Sequence, residues 1–171
     1  MMNRRQFLGS AIASAIGLAL GDSAQAATLP IAIEGNDYER SYGELALDLL
    51  RRSGWLPYVA NNVALVRFAY VGEHGGEMVR NTHASRCTVL LPQRLAPNIG
   101  EVASLLVHES AHQCLYNHGL GYEQPQWAEF PYAGRVRPWQ LAEFSCSVVE
   151  QAFRECAGLA NDVYRRPENL A

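Results

Sequence analysis

The sequence contains no lysine, and all 14 of its basic residues are arginine. A phosphate-binding P-loop requires a lysine, and Schiff-base enzymes and Ser–Lys hydrolases use a lysine amine in catalysis. These classes are therefore excluded. Catalysis by this chain has to come from His, Glu, Asp, Tyr, Ser or Cys side chains, or from a bound metal ion.

The chain also lacks a strong charge of either sign. Its formal net charge is −3 over 171 residues, which provides no electrostatic basis for binding nucleic acid or an anionic membrane. Hydrophobic residues make up 49% of the chain, a share typical of a soluble globular protein and not of a disordered one. The length predicts one domain of ordinary size.

Cysteine is scarce, and no two cysteines have the C-x-x-C spacing of a structural zinc cluster. The four are Cys87, Cys114, Cys146 and Cys156. Cys146 and Cys156 fall on one predicted helix about 15 Å apart, which is beyond disulfide reach. Two alternatives stay open: other pairs form bridges in an oxidising compartment, or all four are small buried hydrophobic residues.

The first 26 residues have no apolar run long enough to span a bilayer comfortably, but they have the order of a secretory signal. Arg4 and Arg5 precede a weakly apolar stretch at residues 10–20, and Ala-Gln-Ala at residues 24–26 forms a cleavage site. An uncleaved membrane anchor is the alternative interpretation.

The arginine pair followed by Phe7 and Leu8 resembles the bacterial twin-arginine export signal. This resemblance implies that residues 1–26 are removed and that residues 27–171 form one exported domain, periplasmic or secreted. It also implies the twin-arginine export machinery as a partner, and no stable membrane span after cleavage. The oligomeric state stays open.

Strand and helix patterns alternate along residues 27–171, which predicts an α+β fold. The predicted strands cover residues 29–33, 63–71 and 87–91. Residues 72–86 are predicted to form a loop or an irregular hairpin, and residues 120–137 a long ordered loop.

Three helices are predicted from their start and stop signals. Ser41 and Glu44 form a capping box for the first helix, which ends at Gly54. Asn98 is the predicted N-cap of the second helix, which runs to about Asn117. The last helix begins at Pro138.

The second predicted helix contains the stretch L-L-V-H-E-S-A-H, with His108, Glu109 and His112. Residues four apart on an α-helix differ by about 40° in direction, so both imidazoles project from one face and can bind one ion. Glu109 is offset to the side, where it can act as a general base instead of a ligand. Two core histidines satisfied by hydrogen bonds are the alternative, but they would be costly to bury beside a glutamate.

This H-E-x-x-H helix resembles that of the zincin metallopeptidases. The resemblance implies a small zincin-like domain, in which a few-stranded sheet packs on the motif helix and a C-terminal helix. It also implies a catalytic Zn²⁺ with a third protein ligand and an open water position.

Two residues are the main candidates for the third ligand. His118 has the spacing of the metzincin motif, but Leu115 replaces its glycine and no methionine follows Met78. On an unbroken helix His118 would point about 120° away from His112. Glu143, which lies 31 residues after His112 in the sequence, matches the gluzincin pattern of a glutamate on a following helix and is favoured.

Several further residues are assigned roles with alternatives left open. A gluzincin often has an acidic residue four after the ligand, where this chain has Ser147, so Glu150 or Glu129 could replace it or supply the third ligand. Tyr122, Tyr132 or His118 could donate to the oxyanion. The strand at residues 87–91 could pair with an extended peptide, as the edge strand does in zincins.

The sequence therefore predicts an exported zinc-dependent metallopeptidase acting on a peptide or protein. Two alternatives use the same ligand residues. One is an Fe(II)-dependent oxygenase that modifies peptides, because two histidines and one carboxylate also suit iron. The other is a non-catalytic exported metal-binding protein.

Overall fold

Four strands and four α-helices make up the part of the chain that the computed structural model describes, which is residues 29–71, 76–80, 84–120 and 138–160. In chain order they are β1 (Ala32–Glu34), α1 (Asp37–Arg52), α2 (Leu56–Asn62), β2 (Val63–Ala69), β3 (Glu77–Val79), β4 (Cys87–Pro92), a 3₁₀ turn (Gln93–Leu95), α3 (Ile99–Asn117) and α4 (Pro138–Cys156). The predicted α+β class is confirmed. The predicted signal peptide lies outside the described residues.

Helix α1 begins five residues earlier than predicted, with its N-cap at position 36 instead of 41. Asn36 is its N-cap and forms a capping box with Glu39: the amide of Glu39 donates to Asn36 Oδ1 at 2.9 Å, and the amide of Asn36 donates to Glu39 Oε2 at 2.7 Å. The prediction of Ser41 as the cap is wrong, because its hydroxyl donates to the carbonyl of Asp37 within the helix. The helix ends before Gly54, whose φ of 79° suits a glycine after a helix.

The strands form one sheet in the order β1-β2-β4-β3. Strands β1, β2 and β4 are parallel neighbours, and β3 returns antiparallel to β4, with Glu77 opposite Leu90. The expectation that residues 87–91 pair with a substrate is therefore wrong, because β4 lies between β2 and β3. The edge strand next to β4 is β3. Strand β3 lies within the segment that was predicted as a loop or irregular hairpin.

Helix α2 was not predicted. Its seven residues are too short for a recognisable period, and they run directly into β2, whose predicted start at Val63 is confirmed. Pro57 lies in the first turn, where its missing N–H costs nothing. Val59 and Ala60 are fully buried, and α2 contacts α3. Tertiary packing therefore supports this helix more than local propensity does.

Helix α3 is the centre of the molecule. It contacts β2, β3 and β4 as well as helices α1, α2 and α4. Its residues 102–113 are all buried, including the polar side chains of His108, Glu109 and His112. The sheet and the C-terminal helix therefore both pack on the motif helix. Among the described residues, no helix combines the length and the apolar character that a membrane span requires.

Candidate metal centre

Two imidazoles project from the middle of α3. The helix starts at Asn98, whose side chain accepts from the amide of Glu101 at 3.2 Å, and it continues unbroken to Asn117. His108 and His112 are each only 5% exposed. Their Nε2 atoms lie 3.2 Å apart, so both rings present a nitrogen to the same point.

Helix α4 brings Glu143 to this point. Its Oε2 atom lies 3.3 Å from His108 Nε2, and its Oε1 atom lies 3.3 Å from His112 Nε2. The side chain of Glu143 is 31% exposed, whereas those of the two histidines are nearly buried. We call His108, His112 and Glu143 the donor triad. Glu143 is therefore the most exposed member of the donor triad.

The spacing of the donor triad fits a bound metal ion. Tetrahedral coordination with bonds of about 2.0–2.1 Å separates neighbouring donor atoms by about 3.3 Å. The Nε2 atoms of His108 and His112 lie 3.2 Å apart, each lies 3.3 Å from a different oxygen of Glu143, and one ligand atom from each residue lies within 4.8 Å of the others. Two imidazoles and a carboxylate are also a ligand set that suits zinc, with one position left open. Among the described residues, this is the cluster of His, Cys, Asp and Glu side chains that could hold an ion.

Glu150 contacts the other nitrogen of His108. Its Oε2 atom lies 3.1 Å from His108 Nδ1, and its side chain is 3% exposed. The sequence left two roles open for Glu150, metal ligand or orienting group. Its position in the structure is that of a group that orients His108. Ser147, at the position where gluzincins often have the acidic residue, is buried nearby on α4.

Carboxylates determine the charge of His108 in the absence of metal. Burial lowers its pKa, but hydrogen bonds with Glu143 and Glu150 and the charge of Glu109 outweigh burial and raise the pKa to about 9. The ring is therefore set up to be cationic at neutral pH. A divalent cation at the donor triad would replace a proton on His108 Nε2.

Glu109 lies beside the donor triad, on the side of the helix that faces β3. It is buried, with 6% of its surface exposed. Gly76, next to the start of β3, lies so close that a Cβ there would be 3.4 Å from Glu109 Oε1. Glu109 is not part of the cluster of side chains that could hold an ion. The Glu109 carboxylate therefore lies close to the start of β3 and near enough to His108 for its charge to raise the pKa of that imidazole.

The structure does not bring His118 to the donor triad. His118 is the C-cap residue of α3, and its Nδ1 atom lies 2.9 Å from the carbonyl oxygen of Cys114. It could have reached the ion only if the helix ended early, and α3 continues to the residue before it. Its assignment as a metal ligand is therefore wrong. Tyr122, Tyr132 and Glu129 lie outside the described residues.

All four cysteines are free thiols in the structure. Cys87 and Cys146 are buried, as the hydrophobic alternative predicts, whereas Cys114 is half-buried and Cys156 is exposed. Burial raises the pKa of Cys87 to about 12 and that of Cys146 well above its ordinary value. Both buried thiols are therefore protonated and unreactive at neutral pH.

Sequence reasoning did not single out Arg154. Its guanidinium Nε donates to Glu150 Oε1 at 3.0 Å, and its Nη2 donates to Glu101 Oε2 at 2.7 Å. The signal was present, because Glu150 and Arg154 are four apart on one helix, with the acid first. This spacing alone did not identify Arg154 as part of the site, since most ion pairs four residues apart on a helix lie on its exposed face.

No protein-family model, curated protein or solved structure matches this chain. Its function therefore has to be inferred from the chemistry of the donor triad and its neighbours.

Proposed function

We propose that this protein is an exported zinc-dependent hydrolase, and specifically a metallopeptidase. The observation that carries the proposal is the convergence of the donor triad: the two imidazole Nε2 atoms lie 3.2 Å apart, and each lies 3.3 Å from an oxygen of Glu143. Two imidazoles and a carboxylate are a ligand set that suits zinc. A zinc ion bound there would lower the pKa of a water molecule and polarise a substrate carbonyl.

The residues around the donor triad have distinct roles in this proposal. His108, His112 and Glu143 hold the ion. Glu109 accepts a proton as the water oxygen bonds to the scissile carbon, and it returns that proton to the amine nitrogen as the C–N bond breaks. Tyr122 and Tyr132 remain the proposed donors to the oxyanion, whereas the structure does not bring His118 to the donor triad.

We further propose that the substrate is an extended peptide or protein segment that pairs with β3. This strand is an edge of the sheet, so the backbone groups on its outer side are available for pairing. Gly76, beside its start, contacts Glu109 and has no side chain to fill the space between the strand and the carboxylate. A peptide bond held along β3 would therefore lie next to the general base.

The test compares three proteins: the wild-type chain, Glu109→Gln and Glu44→Gln. Glu44 is an exposed glutamate on α1 and serves as the matched control. We expect all three to contain one equivalent of zinc and only Glu109→Gln to lose peptide hydrolysis, by a factor of 10² or more, because general-base catalysis contributes roughly 10²–10⁴-fold. Hydrolysis by Glu109→Gln at the wild-type rate would contradict the proposal.

The Fe(II) oxygenase is the second candidate, because two histidines and one carboxylate are also the facial triad of non-haem iron enzymes. The metal analysis separates the two candidates. Iron with oxidised peptide products would favour the oxygenase, and bound metal without any turnover would favour a metal-binding protein.

A further inference from the structure

A buried chain of charged side chains leads from His108 to the first turn of α3. Glu150 contacts His108 Nδ1 at 3.1 Å, Arg154 donates to Glu150 at 3.0 Å, and Glu101 accepts from Arg154 at 2.7 Å. The Nη1 atom of Arg154 also donates to the carbonyl of Ala160 at 3.1 Å. Arg154 and Glu150 are 4% and 2% exposed, so water does little to screen the contact between them, whereas the side chain of Glu101 is 32% exposed.

This chain matters because three carboxylates face His108. Glu143 contacts its Nε2 and Glu150 its Nδ1, and Glu109 adds a further negative charge nearby. A buried carboxylate without a cation partner is costly and turns away or takes up a proton. Arg154 supplies that partner for Glu150 and fixes which oxygen faces the histidine.

We propose that Arg154 is a positioning residue of the metal centre. By holding Glu150 as an acceptor, it keeps a proton on His108 Nδ1, so that Nε2 is the nitrogen that gives up its proton when the donor triad binds a metal ion. Glu101 and the carbonyl of Ala160 hold the guanidinium in this orientation. The inference rests on the proposed metal site, and it assigns a role to two residues that touch neither metal nor substrate.

The pattern on α4 supports this role. Glu143, Ser147, Glu150 and Arg154 recur at helical spacing, so ligand, orienting carboxylate and cation lie on one face of α4. Burial lowers the pKa of Arg154, but hydrogen bonds with Glu101 and Glu150 more than offset this and raise it above its ordinary value. A guanidinium can contact two carboxylates at once through separate nitrogens, which a lysine ammonium does less well.

The experiment measures zinc affinity, by competition with a chelating dye, for the wild type, Arg154→Met, Arg154→Lys, Glu101→Gln and Arg67→Met. Arg67 pairs with Glu34 at 2.6 Å on the exposed face of the sheet and is the matched control. We expect Arg154→Met to bind zinc about 10–100-fold more weakly, as outer-sphere changes do. Arg154→Lys and Glu101→Gln should show smaller losses, and Arg67→Met none.

A second readout separates positioning from a purely structural role. In the zinc-loaded wild type, the Nδ1 proton of His108 should give a slowly exchanging NMR resonance, and in Arg154→Lys and Glu101→Gln it should exchange faster. If Arg154→Met does not fold, the zinc affinity and the proton exchange of Arg154→Lys and Glu101→Gln provide the test.

Wild-type zinc affinity and wild-type exchange in both milder variants would overturn the inference and leave the proposed function intact. Failure of the wild type to bind zinc would overturn both.

Discussion

At the scale of single residues, His108 determines how the centre responds to protons and metal. Its two ring nitrogens each lie 3.1–3.3 Å from a carboxylate, so the metal-free protein stabilises the imidazolium form. The pKa of His108 is raised from 6.5 to about 9 in the folded chain. Protonation therefore favours folding of the metal-free protein and opposes metal binding.

The metal-free protein should become less stable as the pH rises. Because the folded pKa lies above the unfolded one, this contribution is fully present below pH 6.5 and is lost as the pH rises through about 9. The loss is on the order of 3 kcal/mol at most, since one pKa unit corresponds to about 1.4 kcal/mol. Urea titrations between pH 6 and 9.5 measure it, and His118→Gln is the control that should retain it. A free energy of unfolding that stays constant or rises over this range would contradict the assignment.

At the scale of elements, three segments contribute to the proposed reaction centre. In the proposed function, helix α3 supplies two ligands and the general base, α4 supplies the third ligand, and β3 supplies the edge of the sheet. The contribution of α3 was predictable because its apolar run, N-cap and motif are local signals. The contribution of β3 was not, since three residues in a glycine-rich segment carry no periodicity and form a strand only by pairing with β4.

Gly76 tests the role of β3. Adding a Cβ there places an atom 3.4 Å from Glu109 Oε1 and 3.6 Å from Leu105 and from the carbonyl of Leu90. We expect Gly76→Ala to leave kcat/KM nearly unchanged, because these are ordinary van der Waals distances, and Gly76→Val to lower it by about tenfold or more, because its branched methyl groups would displace the carboxylate. Zinc content should not change in either variant.

Ala84→Val, an exposed position before β4, is the control for added bulk and should leave kcat/KM unchanged. Full activity of Gly76→Val would show that substrate does not approach along this edge.

At the scale of the whole molecule, the sequence predicted the class of fold and the residues of the donor triad. It predicted less well how the helices and strands pack around that triad. His108, Glu109 and His112 are close in sequence, and helix geometry alone brings the two imidazoles together. Glu143 was favoured only through resemblance, since nothing local indicates how α4 packs on α3. The prediction of His118 as a ligand was wrong because α3 continues to Asn117. The role of Arg154 was not predicted because its partners, Glu101 and Glu150, come from two helices.

The proposed function requires that three side chains from two helices bind one zinc ion. X-ray absorption at the zinc edge, on protein loaded with one equivalent of zinc, measures this coordination directly. We expect the zinc to be coordinated by two imidazole nitrogens and by carboxylate and water oxygens, all at about 2.0–2.2 Å. The proposed function also predicts that Glu143→Gln weakens zinc binding and that Glu44→Gln does not. A first shell with fewer than two imidazoles, or one that contains sulfur, would contradict it.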